Sequence, residues 1–83
     1  MVYIRWTELA SNELREIYDY ISKDSKLYAK LQVLKIRNKT KLLKRSKYIG
    51  KIVDEIGNPI IREIQEGSYR IIYKIQSANK IAI

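Results

Sequence analysis

The chain has 83 residues, 46% hydrophobic and 31% charged, which gives room for one small folded domain and excludes a disordered chain. It contains no Cys and no His, so disulfides, thiolate metal sites and every Ser–His or Cys–His nucleophile are excluded. Seventeen basic residues against nine acidic ones leave +8 at pH 7, a surplus that points to an anionic partner, either nucleic acid or an acidic protein.

Residues 2–6 alternate, with Val2, Ile4 and Trp6 on one side and Tyr3 and Arg5 on the other. That spacing predicts a short strand with one buried face. Thr7 is placed to cap a helix, with Glu8 in the first turn where the helix dipole favours negative charge. Ala10, Leu14, Ile17, Tyr18 and Ile21 recur at helical spacing, which predicts an amphipathic helix over 7–23. Lys23, Asp24 and Ser25 break it, and Ser25 can cap a second helix. In that helix Ala29, Val33, Ile36, Thr40 and Leu43 form a seam that could face a sheet. Leu27, Leu31 and Leu34 form a second apolar strip, which either closes against the first helix or meets a partner.

After Ser46 the period changes. Residues 51–56 read as a strand, and Gly57-Asn58-Pro59 as a turn. Residues 60–65 and 68–76 are two further runs, joined by a tight turn at Glu66-Gly67. Tyr69, Ile71, Tyr73 and Ile75 share one face of the third run. A last strand begins at Lys80. Short turns imply antiparallel neighbours. The expected fold is therefore α+β: a strand, a helical hairpin, then a three- to four-stranded antiparallel sheet covered on one face by the helices. A single domain over residues 1–83 follows.

No apolar run approaches the roughly 18 residues that a membrane-crossing helix needs. The first six residues lack the basic head and apolar stretch of a signal peptide. A cytoplasmic protein with no membrane partner is expected.

Charge is unevenly spread. Residues 23–51 hold eleven basic residues and one acid, Asp24, while the rest of the chain nets −2. Lys39, Lys41, Lys44, Arg45, Lys47 and Lys51 form the densest stretch, a footprint for phosphate or an acidic peptide, or a solvated helix face. Tyr3, Tyr20 and Tyr48 lie off the apolar faces and are the better placed tyrosines for contact. Arg62, Arg70, Tyr73 and Lys74 fall close together on one hairpin. Arg62 and Arg70 could be cross-strand neighbours, with an anion or the chain's own acids between them. No metal or cofactor is implied.

The run from Gly50 to Ile75, GKIVDEIGNPIIREIQEGSYRIIYKI, resembles the RelE/ParE toxin superfamily, and its ParE-type branch more closely. Arg62-Glu63 followed by Gly67-Ser-Tyr-Arg-Ile-Ile-Tyr73 carries the resemblance, together with Trp6, Leu14, Ile17, Tyr18, Tyr20-Ile21, Asp24-Ser25 and Ala29 in the front half. The resemblance implies a strand–helix–helix–strands fold. It also implies the toxin half of a type II toxin–antitoxin pair, silenced by an antitoxin that wraps it. A ParE-type toxin inhibits DNA gyrase by binding, without chemistry of its own. The alternative is a RelE-like ribosome-dependent mRNA endonuclease; there Arg70 matches the motif arginine, Arg62 or Lys74 would assist, and Ile61, Arg62 and Glu63 stand where lysines are usual. The chain reaches Ile83 without the segment that normally follows the last strand, so an inactive truncated toxin that still binds antitoxin is a third expectation. Antitoxin contacts are expected at Leu27, Leu31, Leu34, Arg62 and Arg70.

Overall fold

Thr7 and Ser25 begin the two helices. A computed structural model describes residues 2–83; Met1, part of the expected domain, lies outside them. Thr7 is extended, and its Oγ1 accepts the Ala10 N–H at 3.1 Å; Ser25 Oγ accepts the Tyr28 N–H at 3.1 Å. Each cap satisfies a donor that the first turn leaves orphaned, a contribution of about 1 kcal/mol. The elements run β1 (Tyr3–Arg5), α1 (Glu8–Ser22), α2 (Lys26–Thr40), a 3₁₀ turn (Lys41–Lys44), β2 (Lys51–Ile52), β3 (Ile61–Glu66), β4 (Tyr69–Ser77) and β5 (Lys80–Ala82).

The strands form one five-stranded sheet in the order β1-β5-β4-β3-β2. Four strands follow the helical hairpin, and all of these pair antiparallel, as their short connections require. The sheet as a whole is mixed, because β1 pairs parallel to β5 with Tyr3 opposite Lys80 and Arg5 opposite Ala82. Thr7 N–H donates to the Ile83 carbonyl at 3.0 Å, and Ile83 N–H to the Arg5 carbonyl at 2.9 Å. These bonds tie the start of α1 to the far end of the chain.

The expected strand over 51–56 is shorter than its apolar content implies. It ends at Ile52, and the Val53 carbonyl then accepts N–H groups from both Ile56 and Gly57, closing a turn. Gly57 completes that turn at φ +69°, a conformation glycine adopts without steric cost. Ile56 and Ile60 are left exposed at the turn.

The expected inner face of β4 is present: Ile71, Tyr73 and Ile75 are buried and Tyr69 is half-buried. They pack with Ile64, Ile81 and Ile83 from the sheet and with Leu14, Ile36 and Leu43 from the helical side. Burying each large aliphatic side chain contributes about 1.5–3 kcal/mol. On α2 the seam of Ala29, Ile36 and Thr40 is buried, continuing to Leu43 in the 3₁₀ turn. The opposite face of the sheet is open and carries Arg70, Ile72 and Lys74.

Candidate interaction surfaces

The hairpin of β3 and β4 separates the basic residues that the sequence places together. Arg62 pairs with Tyr73 and Arg70 with Gln65. Paired residues share a face, so Arg62 points with Tyr73 to the helix side, while Arg70 and Lys74 lie on the open side. Arg62 and Arg70 are therefore not cross-strand neighbours. Arg62 Nε donates to the Pro59 carbonyl and its Nη1 to the Gly50 carbonyl, both at 2.9 Å. Its guanidinium lies 5.0 Å from the Tyr48 ring centroid, within cation–π range. The side chain fastens the loop before β2 to the start of β3.

Arg70 is held between two carboxylates. Its Nε donates to Glu63 Oε2 at 2.9 Å, with a second, shorter contact from Nη2 to the same oxygen. Its Nη1 lies 3.0 Å from Glu55 Oε2. Hydrogen bonds to Glu63 and then Glu55 raise the guanidinium pKa further above its ordinary value. The Glu55 carboxyl is held below its ordinary value by a backbone hydrogen bond and then by Arg70. Lys51 reaches Glu63 from the other side at 3.6 Å. The cluster is a charge-balanced clamp joining β2, the turn after it, β3 and β4. Among the described residues, no group of three or more His, Cys, Asp or Glu comes together to hold a metal.

Tyr73 anchors the same corner from within. Only 1% of it is exposed. Its hydroxyl accepts the Gly50 N–H at 3.1 Å and donates to the Lys47 carbonyl at 2.8 Å. Burial pushes its pKa up, and the Gly50 hydrogen bond and the Arg62 charge act in the opposite direction.

The dense basic stretch divides. Lys41, Lys44 and Arg45 are exposed and Lys39 is half-buried. Lys47 donates to the Ala78 carbonyl at 2.8 Å and lies 5.4 Å from the Tyr48 ring, while Lys51 is paired with Glu63. Tyr48 is thus flanked by two cations, whereas Tyr3 and Tyr20 stand clear in solvent together with Tyr28.

Among the described residues, apolar surface is left uncovered in at least two places. Leu27, Leu31 and Leu34 are 67%, 43% and 45% exposed, so the strip does not close against α1. Another is a groove of about 440 Å³ between α1 and β4, lined by Trp6, Leu9, Leu14, Ile17, Ile36, Tyr69, Ile71 and Ile83, with Glu13 beside them. The sequence pattern missed this groove. Its signal was Leu9, which falls off the buried stripe of α1 and is 69% exposed.

The sequence from residue 4 to 83 matches the profile of a family described as the ParE toxin of the type II toxin–antitoxin system parDE. A solved structure described as a chromosomal ParDE toxin–antitoxin system from P. aeruginosa superposes with a TM-score of 0.79 at 22% identity, covering 100% of this chain and 90% of that one. At that identity the likeness shows the fold. No curated protein matches the sequence.

Proposed function

The chain belongs to the ParE toxins of type II toxin–antitoxin systems, and from that membership we propose that it is a cytoplasmic inhibitor that acts by binding DNA gyrase and is neutralised by a cognate antitoxin. The observation that favours binding over chemistry is the state of Arg70. A phosphoryl-transfer or RNA-cleaving site needs an electropositive group free to meet developing charge. Here the guanidinium is already committed to Glu63 and Glu55, and Arg62 is committed to two backbone carbonyls. Lys74 is exposed on the open face, with Ile61 and Ala82 opposite it. The nuclease alternative gains no assembled site from this arrangement. Among the described residues, no helix is long and apolar enough to cross a membrane.

The uncovered apolar surfaces and the +8 charge support an antitoxin partner. Exposed apolar stripes bordered by charge are the usual marks of a docking site. A supercoiling assay with purified gyrase tests the target. Inhibition that the neighbouring reading frame's product relieves is expected; unchanged supercoiling at saturating protein refutes the gyrase assignment. Growth arrest on induction, relieved by the same neighbour, separates an active toxin from an inactive one.

A further inference from the structure

We propose that α2 and the 3₁₀ turn after it bind duplex DNA along its phosphate backbone, through a cationic row formed by Lys26, Lys30, Arg37, Lys41 and Lys44. This goes beyond the target and antitoxin readings, because it gives the free chain a further ligand of its own. At about 100° per residue, Lys26, Lys30 and Arg37 fall within about 40° of one another around the helix. The 3₁₀ turn carries the line onward, since side chains three apart eclipse there, which stacks Lys44 over Lys41. At 1.5 Å per helical residue and about 2.0 Å per 3₁₀ residue, the row runs about 28 Å. It lies between the buried seam of Ala29, Ile36 and Thr40 and the leucine stripe. All five side chains are exposed, and α2 contains no acidic residue. Among the described residues, ion pairs are confined to the cluster of Lys51, Glu55, Glu63 and Arg70. The charge of the row is therefore left for a ligand to neutralise.

Charge density and side-chain chemistry select the occupant. Duplex DNA carries one negative charge per about 1.7 Å of axis, so about 28 Å of it presents about sixteen phosphates, and the rigid row meets those on the near side. An extended acidic polypeptide, even with a carboxylate on every residue, carries one charge per about 3.3 Å, half that density. Four of the five cations are lysines, whose compact charge suits a phosphate, whereas reading a base edge favours the planar fork of arginine. Contacts of this kind position a duplex without reading its sequence. Single strands are held by stacking bases on exposed aromatic rings. The aromatic beside this row is Trp6, which is half-buried and already has the Arg37 guanidinium 5.1 Å from its ring centroid. That cation–π contact also fixes Arg37 in line. RNA duplexes are recognised largely through their 2′-hydroxyls, and a row of lysines and one arginine offers those groups no acceptor.

The test is fluorescence anisotropy of a short labelled B-form DNA duplex of mixed sequence, titrated with the full-length protein over a range of salt concentrations. The variants are Lys26→Gln/Lys30→Gln, Lys41→Gln/Lys44→Gln and the control Arg15→Gln/Lys80→Gln, which removes the same net charge from exposed positions off the row. Circular dichroism verifies that each variant is folded, which is expected because every altered side chain is exposed. Five phosphate contacts predict a slope of log affinity against log salt near about −4.5, or roughly 500-fold weaker binding at 200 mM salt than at 50 mM. Each row variant should flatten that slope by about 2 and weaken binding at least about tenfold at about 100 mM salt, while the control stays within about threefold of the wild type. No binding of the duplex at low salt overturns the proposal. So does a control that weakens as much as the row variants, or tighter binding of an RNA duplex, a single strand or polyglutamate of matched length. The gyrase reading fails separately: inhibited supercoiling by a protein that does not bind the duplex ends this proposal and spares that reading, and duplex binding with unchanged supercoiling does the reverse.

Discussion

Gly50 sits where a side chain has no room, so adding a single methyl group tests the packing of the whole corner. A Cβ built at Gly50 would stand 2.5 Å from the Glu63 carbonyl oxygen, 2.7 Å from the Tyr73 hydroxyl and 2.9 Å from Tyr73 Cε1. The first of these is backbone in the middle of β3 and cannot swing away. The other two belong to a side chain that is almost wholly buried. Gly50→Ala must therefore push β2 away from β3, or displace Tyr73 and break its hydrogen bonds to the Gly50 N–H and the Lys47 carbonyl. Overpacking of a rigid site costs about 1–3 kcal/mol. A buried donor left unpaired adds about 1–3 kcal/mol. The expected loss is thus roughly 2–6 kcal/mol, a large fraction of the 5–15 kcal/mol that holds an ordinary domain. Tyr73→Phe isolates the second part: it removes the hydroxyl, keeps the ring, and should cost about 1–3 kcal/mol. In the double variant the Glu63 oxygen and the ring still oppose the methyl, so only part of the Gly50→Ala penalty is relieved, and the two effects add to less than their sum. Urea denaturation of the four proteins measures all of these quantities. A Gly50→Ala midpoint equal to the wild type's would mean that β2 does not lie against β3 as described.

Ile71→Ala should destabilise by about 2–5 kcal/mol, and Tyr69→Ala by less, because Ile71 is buried and Tyr69 only half-buried; equal midpoint shifts would misplace the edge of the core. Arg62→Ala should cost about 1–2 kcal/mol and loosen the loop before β2, seen as faster amide exchange at residues 47–50, since it removes two bonds to backbone carbonyls. Glu55→Gln should lower stability near neutral pH. The Glu55 pKa is lowered in the folded protein, so its contribution is present above the ordinary carboxylate range and fades as pH falls through the lowered value; wild-type and variant melting temperatures should converge in acid. Tyr73 behaves oppositely at the alkaline end. Its pKa is raised by folding, so stability is intact below the ordinary tyrosine range and falls as pH rises through it; the Tyr73→Phe variant should lose less stability over that interval.

Much of the fold was legible because local rules decide it. Thr7 and Ser25 cap the helices through their own side-chain oxygens, and the alternation from Tyr69 to Ile75 gives the inner face of β4 directly. The parallel pairing of β1 with β5 was not legible, since no short turn joins them and turn length says nothing about strands so far apart in sequence. The faces of Arg62 and Arg70 depended on register. The two-residue turn at Gly67 and Ser68 sets Glu66 opposite Tyr69, so even-numbered residues of β3 meet odd-numbered ones of β4. A one-residue slip would have put both arginines on one side. Ile56 and Ile60 disguised a turn as a strand because exposed isoleucines carry the same pattern as buried ones. The leucine stripe on α2 was visible, but its position nearly opposite the seam emerges only when the helix is rotated residue by residue.

The edge strand β1 precedes the helical hairpin, yet its neighbour in the sheet is β5, which every other element separates from it in sequence. Until Lys80 to Ala82 are free to pair, the nascent chain holds a helical hairpin and, at most, an unfinished sheet. Non-local closure of this kind is slow relative to helix formation. The sheet of this domain is therefore closed only once β5 has been made, well after the helical hairpin.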